Sequence, residues 1–224
     1  TLSNLNLDID IITENSNQII NSCRTTAISQ ENYNFLEELK FSKKNFWSCS
    51  KMKLYIDNEN KFLKVFEVNK TNTKNKKIFY MVENKKLISD LNKLIKLSKS
   101  TKLLVKKKNL EIINTNLLKG IKFEKKINSQ YNLIIVCTGN NSQLTKNFIN
   151  GEIYKHSYDE LAITTILKHE HLDNSVARQI FSDEAILALL PISNNKTSVV
   201  LSIKKNHSKE KINNTMLRKK IKFY

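Results

Sequence analysis

Apolar and polar positions alternate through much of this chain, and the stretches where the alternation fails are as informative as those where it holds. Lys51-Met-Lys-Leu-Tyr-Ile56 and Phe62-Leu-Lys-Val-Phe-Glu-Val68 alternate cleanly and predict two strands around a turn at Asp57-Asn-Glu-Asn60. Leu7-Asp-Ile-Asp-Ile-Ile-Thr-Glu14 predicts a short strand ending in a carboxylate. Ile78-Phe-Tyr-Met-Val82 leads to Asn84, a fair N-cap for a helix carrying Leu87, Leu91, Leu94 and Ile95 at helical spacing. Ser29 is placed to cap another helix, Gln30 to Leu39, with Tyr33, Phe35, Leu36 and Leu39 as its apolar stripe. In Asn132-Leu-Ile-Ile-Val-Cys-Thr-Gly-Asn-Asn-Ser142 the aliphatics Leu133 to Val136 run without a break. Such a run predicts a strand buried on both faces, as in a parallel sheet covered by helices, followed by a glycine turn and a helix start at Gln143 to Ile149.

The carboxyl third predicts a run of strands: Tyr158 to Lys168, Ala177 to Phe181, Ala185 to Pro191 and Thr197 to Ile203, with a hairpin turn at Asn194-Asn-Lys196. Short basic strands and turns fill Thr101 to Lys126, and Lys70 to Lys77 reads as a polar loop. The tail, Ser208 to Tyr224, carries Ile212, Met216, Leu217 and Ile221 as an incomplete amphipathic helix. There is no internal repeat. Strands and helices interleaved in this way predict an α/β (α+β) chain.

Bulk properties narrow the classes. At 224 residues and 40% hydrophobic content the chain can build a real core. No run approaches the ~18 apolar residues of a membrane span, and Thr1 to Leu7 does not read as a secretory signal. The missing initiator Met is expected of a chain cut from something longer. Cys23, Cys49 and Cys137 are widely spaced and predict reduced thiols in a cytoplasmic protein, not a disulfide framework or a zinc site. The formal charge of +17 invites a nucleic-acid reading. Against it, the lysines are scattered, arginine occurs only at Arg24, Arg178 and Arg218, and aromatics do not interleave with the basic residues as a stacking platform requires.

Familiar catalytic constellations are lacking. His169-Glu-His171 would share one face of a strand but has no third ligand, so a solvated connection is expected there and not a metal site. There is no nucleophile elbow, no phosphate-binding loop and no G-x-G-x-x-G. What is specific is the order of segments: the strand ending in Glu14, Arg24-Thr-Thr-Ala-Ile-Ser29, Tyr80-Met-Val-Glu-Asn-Lys-Lys-Leu87, Asn132 to Ser142, Ala177-Arg-Gln-Ile-Phe181, Ala188-Leu-Leu-Pro191 and Ser198-Val-Val200. In that order they resemble the flavin-dependent hydroxylases of ubiquinone biosynthesis, the polyprenylphenol hydroxylases, a branch of the para-hydroxybenzoate hydroxylase-like monooxygenases.

The resemblance implies a partial Rossmann-like FAD-binding domain interleaved with a mixed β-sheet substrate domain. Residues 1–50 and 83–150 would belong to the first, and residues 51–82 and 151–224 to the second. It implies that Glu14 accepts the FAD adenosine ribose hydroxyls, that Arg24 offsets the diphosphate charge, and that the Thr138-Gly139 turn approaches the cofactor. Leu189, Leu190 and Pro191 would line the substrate ring. No catalytic residue is assigned. Thr138 replaces the family's Asp and Lys146 a common Arg, Ala185-Ile-Leu replaces Gly-Pro-Leu, and the G-x-G-x-x-G and later G-D motifs have no counterpart. The chain therefore resembles the middle of a family member roughly twice as long. The implied activity is FAD-dependent hydroxylation of a polyprenylated phenol with NAD(P)H as reductant. Contact with an anionic inner membrane or with other ubiquinone-biosynthesis proteins is the accompanying expectation. The alternative is a catalytically silent remnant or basic binding module that keeps the fold without flavin.

Overall fold

The computed structural model describes residues 2, 5–13, 23–58, 61–69, 77–105, 110–115, 117–123, 126–139, 144, 156 and 158–204. The chain divides into two compact units, residues 1–8, 17–101 and 158–224 in one and residues 9–16 and 102–157 in the other.

The first unit is built on a six-stranded sheet in the order β11-β14-β13-β12-β4-β5. Its strands are β4 (Lys51–Asn58), β5 (Lys61–Asn69), β11 (Glu160–Lys168), β12 (Val176–Phe181), β13 (Ala185–Ser193) and β14 (Lys196–Lys204). β4 and β5 form the hairpin that their alternation predicts, and β13 and β14 turn at Asn194 and Asn195. All neighbours are antiparallel except β12 and β4, which run parallel and are joined by a long crossover.

Because side chains alternate across a strand, the register sorts this sheet into two faces. Leu187 lies beside Ile180 and Leu201, and Leu201 beside Ile163, so these share one face with Ala185, Ile203, Val199 and Leu189. That face holds the main core: Ile180, Ala185, Leu187, Val199, Leu201 and Ile203 are buried, with Tyr55, Ile163, Leu167 and Leu189 packed against them. Each such aliphatic contributes about 1.5–3 kcal/mol by leaving water.

A three-stranded sheet packs against one end of the opposite face. It runs β2 (Thr25–Ile28), β6 (Phe79–Glu83), β3 (Phe46–Cys49) in spatial order. Ala27, Met81 and Trp47 lie side by side on one face. There Cys49 and Met81 pack with Ile192, Trp47, Phe79, Ile166 and Leu190 in a second core. The other face carries Tyr80 and Phe46, which meet the Tyr33 ring of α1 (Gln30–Glu38). Tyr33 stacks on Tyr80 at 3.8 Å and meets Phe46 edge-on at 5.3 Å.

α1 begins where the sequence predicts, with Ser29 Oγ accepting the Asn32 N–H at 3.2 Å. It closes through Lys40, at φ 63°, with the N–H groups of Lys40 and Phe41 returning to the carbonyls of Glu37 and Leu36. α2 (Asn84–Leu97) starts one residue earlier than expected: Asn84 is its first helical residue and Glu83 its N-cap. Asp90 on α2 is buried and accepts the Asn45 amide at 2.7 Å and the Ser42 N–H at 3.3 Å, tying the helix to the turn before β3.

The second unit pairs β1 (Ile9–Thr13) with β7 (Thr101–Val105). Beside this pair it builds a three-stranded antiparallel sheet from β8 (Glu111–Asn114), β9 (Lys119–Phe123) and β10 (Lys126–Tyr131). The Tyr131 hydroxyl donates to Asp10 Oδ2 at 2.7 Å. Burial, and then that carboxylate, raise the Tyr131 pKa.

One expectation fails here. Leu133 to Val136 is not a strand buried on both faces. The segment after Tyr131 has no ladder partner among the described residues, and Leu133 and Ile135 are 73% and 62% exposed. Ile134 and Val136 are half-buried, so the period-two signature survives without a covering sheet among the described residues. A strand is defined by pairing, and apolar content alone cannot supply the partner. The expected helix start at 143–149 and the tail helix at 208–224 lie outside the described residues, apart from one helical position at Leu144. Among the described residues no helix is long and apolar enough to cross a membrane, which says nothing of a β-barrel.

Candidate functional site

Among the described residues, the face of the six-stranded sheet opposite the main core is covered by the small sheet at one end only. Beyond the covered end, the register lays out two transverse rows. The first runs Thr164, Val200, Ala188, Gln179, Leu54, Phe66, and the second Ala162, Ser202, Ile186, Phe181, Ile56, Leu63. None of these side chains is fully buried, and Ile56, Leu63 and Phe66 are 45%, 52% and 53% exposed. An exposed apolar face of this kind is the candidate binding surface of the unit.

The covered end stops at a hydrogen bond between Thr25 and Ser198, whose hydroxyl oxygens are 2.7 Å apart. Immediately before Thr25 stands Arg24, exposed, its carbonyl accepting the Asn84 N–H at 3.0 Å. The Arg24 guanidinium has no acid partner among the described residues. Thr26 Oγ1 donates to Asn84 Oδ1 at 2.7 Å, which fixes the start of α2 against β2. Glu83 is buried at the same junction. Burial raises its pKa, but Lys86 at 2.9 Å and Lys85 at 3.0 Å outweigh that and hold it below the usual carboxylate range. Polar, cationic groups thus border the open apolar face.

The residues expected to contact substrate divide between the two faces. Leu190 lies on the open side, under the small sheet, beside Ser198. Leu189 packs in the main core on the other face, and Pro191 is fully buried. Adjacent positions on a strand point in opposite directions, so a continuous motif cannot line one surface. The residues that do line the open surface, Gln179, Ala188 and Val200 among them, were legible only from the register of β12 to β14.

Of the expected cofactor residues, Arg24 belongs to the first unit, Thr138 and Gly139 to the second, and Glu14 lies outside the described residues, as does Lys146. Gly139 has φ 78°, a conformation that glycine adopts freely. It sits in an exposed turn with open space where a Cβ would stand.

The two histidines are in a connection and not on a strand. His169 Nε2 lies 3.0 Å from Thr197 Oγ1 and His171 Nε2 3.2 Å from Asn194 Nδ2. No metal-binding cluster occurs among the described residues. Asn174, buried beside this connection, donates to the carbonyls of Ser193 and Lys196 at 2.8 and 3.1 Å, while its own carbonyl accepts the Trp47 indole N–H at 2.6 Å. These groups serve the β13–β14 turn. Cys49 is fully buried, and burial pushes its thiol up to about 12, so it is no nucleophile.

Comparison with known proteins places this architecture. No family model matches the chain, and no curated protein matches it. Solved structures do. PqsL of Pseudomonas aeruginosa, a FAD-dependent monooxygenase, superposes with a TM-score of 0.78 at 10% identity over 99% of this chain. The fold is that of the FAD-dependent monooxygenases. PqsL in complex with 2-aminobenzoylacetate superposes at 0.79, again at 10% identity over 99% of this chain. A Klebsiella pneumoniae HpxO variant complexed with FAD gives 0.66, with 8% identity over 97% of this chain. The chain spans 62% of the length of each of these structures.

Proposed function

We propose that this chain carries the substrate face and part of the flavin cradle of a FAD-dependent monooxygenase acting on an apolar aromatic ring. The observation that carries the reading is the open apolar face bordered by Arg24, in a fold shared with FAD-dependent monooxygenases. PqsL holds a ring-bearing acid, 2-aminobenzoylacetate, within that fold, which supports an aromatic substrate here.

The residues present fit the cofactor in part. Arg24, exposed and without an acid partner among the described residues, suits a diphosphate. For Glu14 and the Thr138-Gly139 turn, the support is the resemblance in segment order, which gives Glu14 the ribose. When bound, FAD would accept electrons from NAD(P)H and deliver one oxygen atom of O2 to the ring. The chain's own part is orientation and exclusion of water. Apart from Gln179, the row from Val200 to Phe66 is apolar, and covering it with a ring removes water from around that ring.

The resemblance in segment order supports a polyprenylated phenol of ubiquinone biosynthesis as the substrate, and the exposed Ile56, Leu63 and Phe66 suit a long apolar tail. The charge of +17 supports peripheral docking on an anionic membrane, at about 1 kcal/mol per well-placed lysine.

Titration of FAD into the purified chain, followed by flavin fluorescence, tests the reading. Saturable quenching is expected, and Arg24→Ala should weaken it about tenfold, as loss of a charge-assisted contact does. A folded chain that leaves FAD fluorescence unchanged would falsify the proposal.

A further inference from the structure

The open face is apolar except at a few positions, and one of them is unlike the rest. Gln179 sits in the middle of the first row, paired with Ala188 of β13 on one side and Leu54 of β4 on the other. It is half-buried, and its carboxamide makes no hydrogen bond among the described residues. Thr164 and Ser202, the other polar side chains of these rows, lie towards the β11 edge, where Thr164 is exposed to water.

Withdrawing an amide from water without a partner costs about 1–3 kcal/mol when burial is complete. An amide on a binding face incurs that cost as soon as an apolar ligand covers it, unless the ligand brings a partner of its own. Ala188 beside it is small and only half-buried, so it does not screen the carboxamide from above the sheet. Its Oε1 accepts and its Nε2 donates. A hydroxyl on an otherwise apolar planar ligand, which both donates and accepts, is the smallest group that answers either.

We propose that Gln179 is the specificity-determining residue of this face, holding the hydroxyl of a phenolic ring through its carboxamide while the flanking aliphatics hold the ring. The inference rests on the reading of this face as the substrate surface. It goes further by naming the group that selects a phenol over a plain hydrocarbon ring. A site that hydrogen-bonds a hydroxyl rejects the analogue lacking it, because its own polar group is then covered without a partner.

The test uses thymol and para-cymene, which differ only by the hydroxyl, with binding measured by calorimetry on the wild-type chain, Gln179→Leu and Gln179→Met. The wild type should prefer thymol, and the preference should fall about tenfold in both variants through weaker thymol binding, with para-cymene bound as well or better. Thermal unfolding of the variants should match the wild type, and whichever variant folds normally decides the matter. Equal preference in wild type and variants overturns the proposal, as does a wild type that binds neither ring. FAD titration of the same samples separates the two readings. A thymol preference lost in the variants with no FAD binding in any sample sinks the cofactor reading and leaves Gln179 in its role.

Discussion

Two apolar runs of this protein meet opposite fates. In β13 and β14, Ala185 to Pro191 and Val199 to Ile203 pair along their length, and Leu187, Val199 and Leu201 are at most 2% exposed. In the segment after β10, Leu133 to Val136 is at least as aliphatic, yet Leu133 and Ile135 face water. The difference lies in the neighbours. β13 has ladders on both sides, from β12 and β14, and a turn pinned by Asn174. The other run has no ladder among the described residues. Hydrophobicity supplies the drive to be covered, and hydrogen-bonded neighbours decide whether covering happens.

The largest expected effect sets the two runs against each other directly. Leu201→Ala empties a site in the main core and should cost about 2–5 kcal/mol, since the surrounding sheet collapses only partly into the space. Ile135→Ala removes a side chain already in water and should change stability by no more than about 0.5 kcal/mol. Urea unfolding of the two variants measures both. A cost for Ile135→Ala approaching that of Leu201→Ala would mean that the open run is covered in solution.

Next comes the pin. Asn174 satisfies the carbonyls of Ser193 and Lys196 and also donates to Thr197 Oγ1 at 3.0 Å, while its carbonyl takes the Trp47 N–H. Asn174→Ala leaves the backbone carbonyl in place but takes the donor from the half-buried acceptors at the turn, at a cost of about 1 kcal/mol. The same measurement checks it. An unchanged midpoint would show that the turn holds without the amide, and that ladders alone separate the two runs.

How much of this was legible in the sequence follows from the same contrast. The β4–β5 and β13–β14 hairpins and the Ser29 cap could be read because their determinants are local: alternation, a polar turn, a hydroxyl three residues before an amide. The fate of Leu133 to Val136 could not, because it depends on pairing with a distant strand. The candidate site sits between these cases. Arg24 was picked out by its place in a segment order. Gln179 and Val200 were not, because only the register of β12 to β14 shows which alternate positions share a face with Leu190 and which, like Leu189, turn into the core.

The smallest effect uses the cysteines as reporters of the same two environments. Cys137 ends the open run and is exposed, as is Cys23, whereas Cys49 is fully buried in the second core. A thiol reagent at neutral pH should therefore label Cys137 and Cys23 in the folded protein and reach Cys49 only on unfolding, since the thiolate is the reactive form. The pH dependence has a definite sign. Burial pushes the Cys49 thiol up to about 12, from the ordinary value of 9.0 that it regains on unfolding. The folded state therefore holds that proton more tightly. The stability this contributes is complete below the ordinary thiol range and falls away as pH rises from there towards the folded value. Cys49→Ala should flatten that alkaline loss, read as unfolding midpoints between neutral and alkaline pH. An alkaline loss that is the same in Cys49→Ala as in the wild type would show that this thiol is not held away from water in the folded protein, and would remove the contrast with the open run.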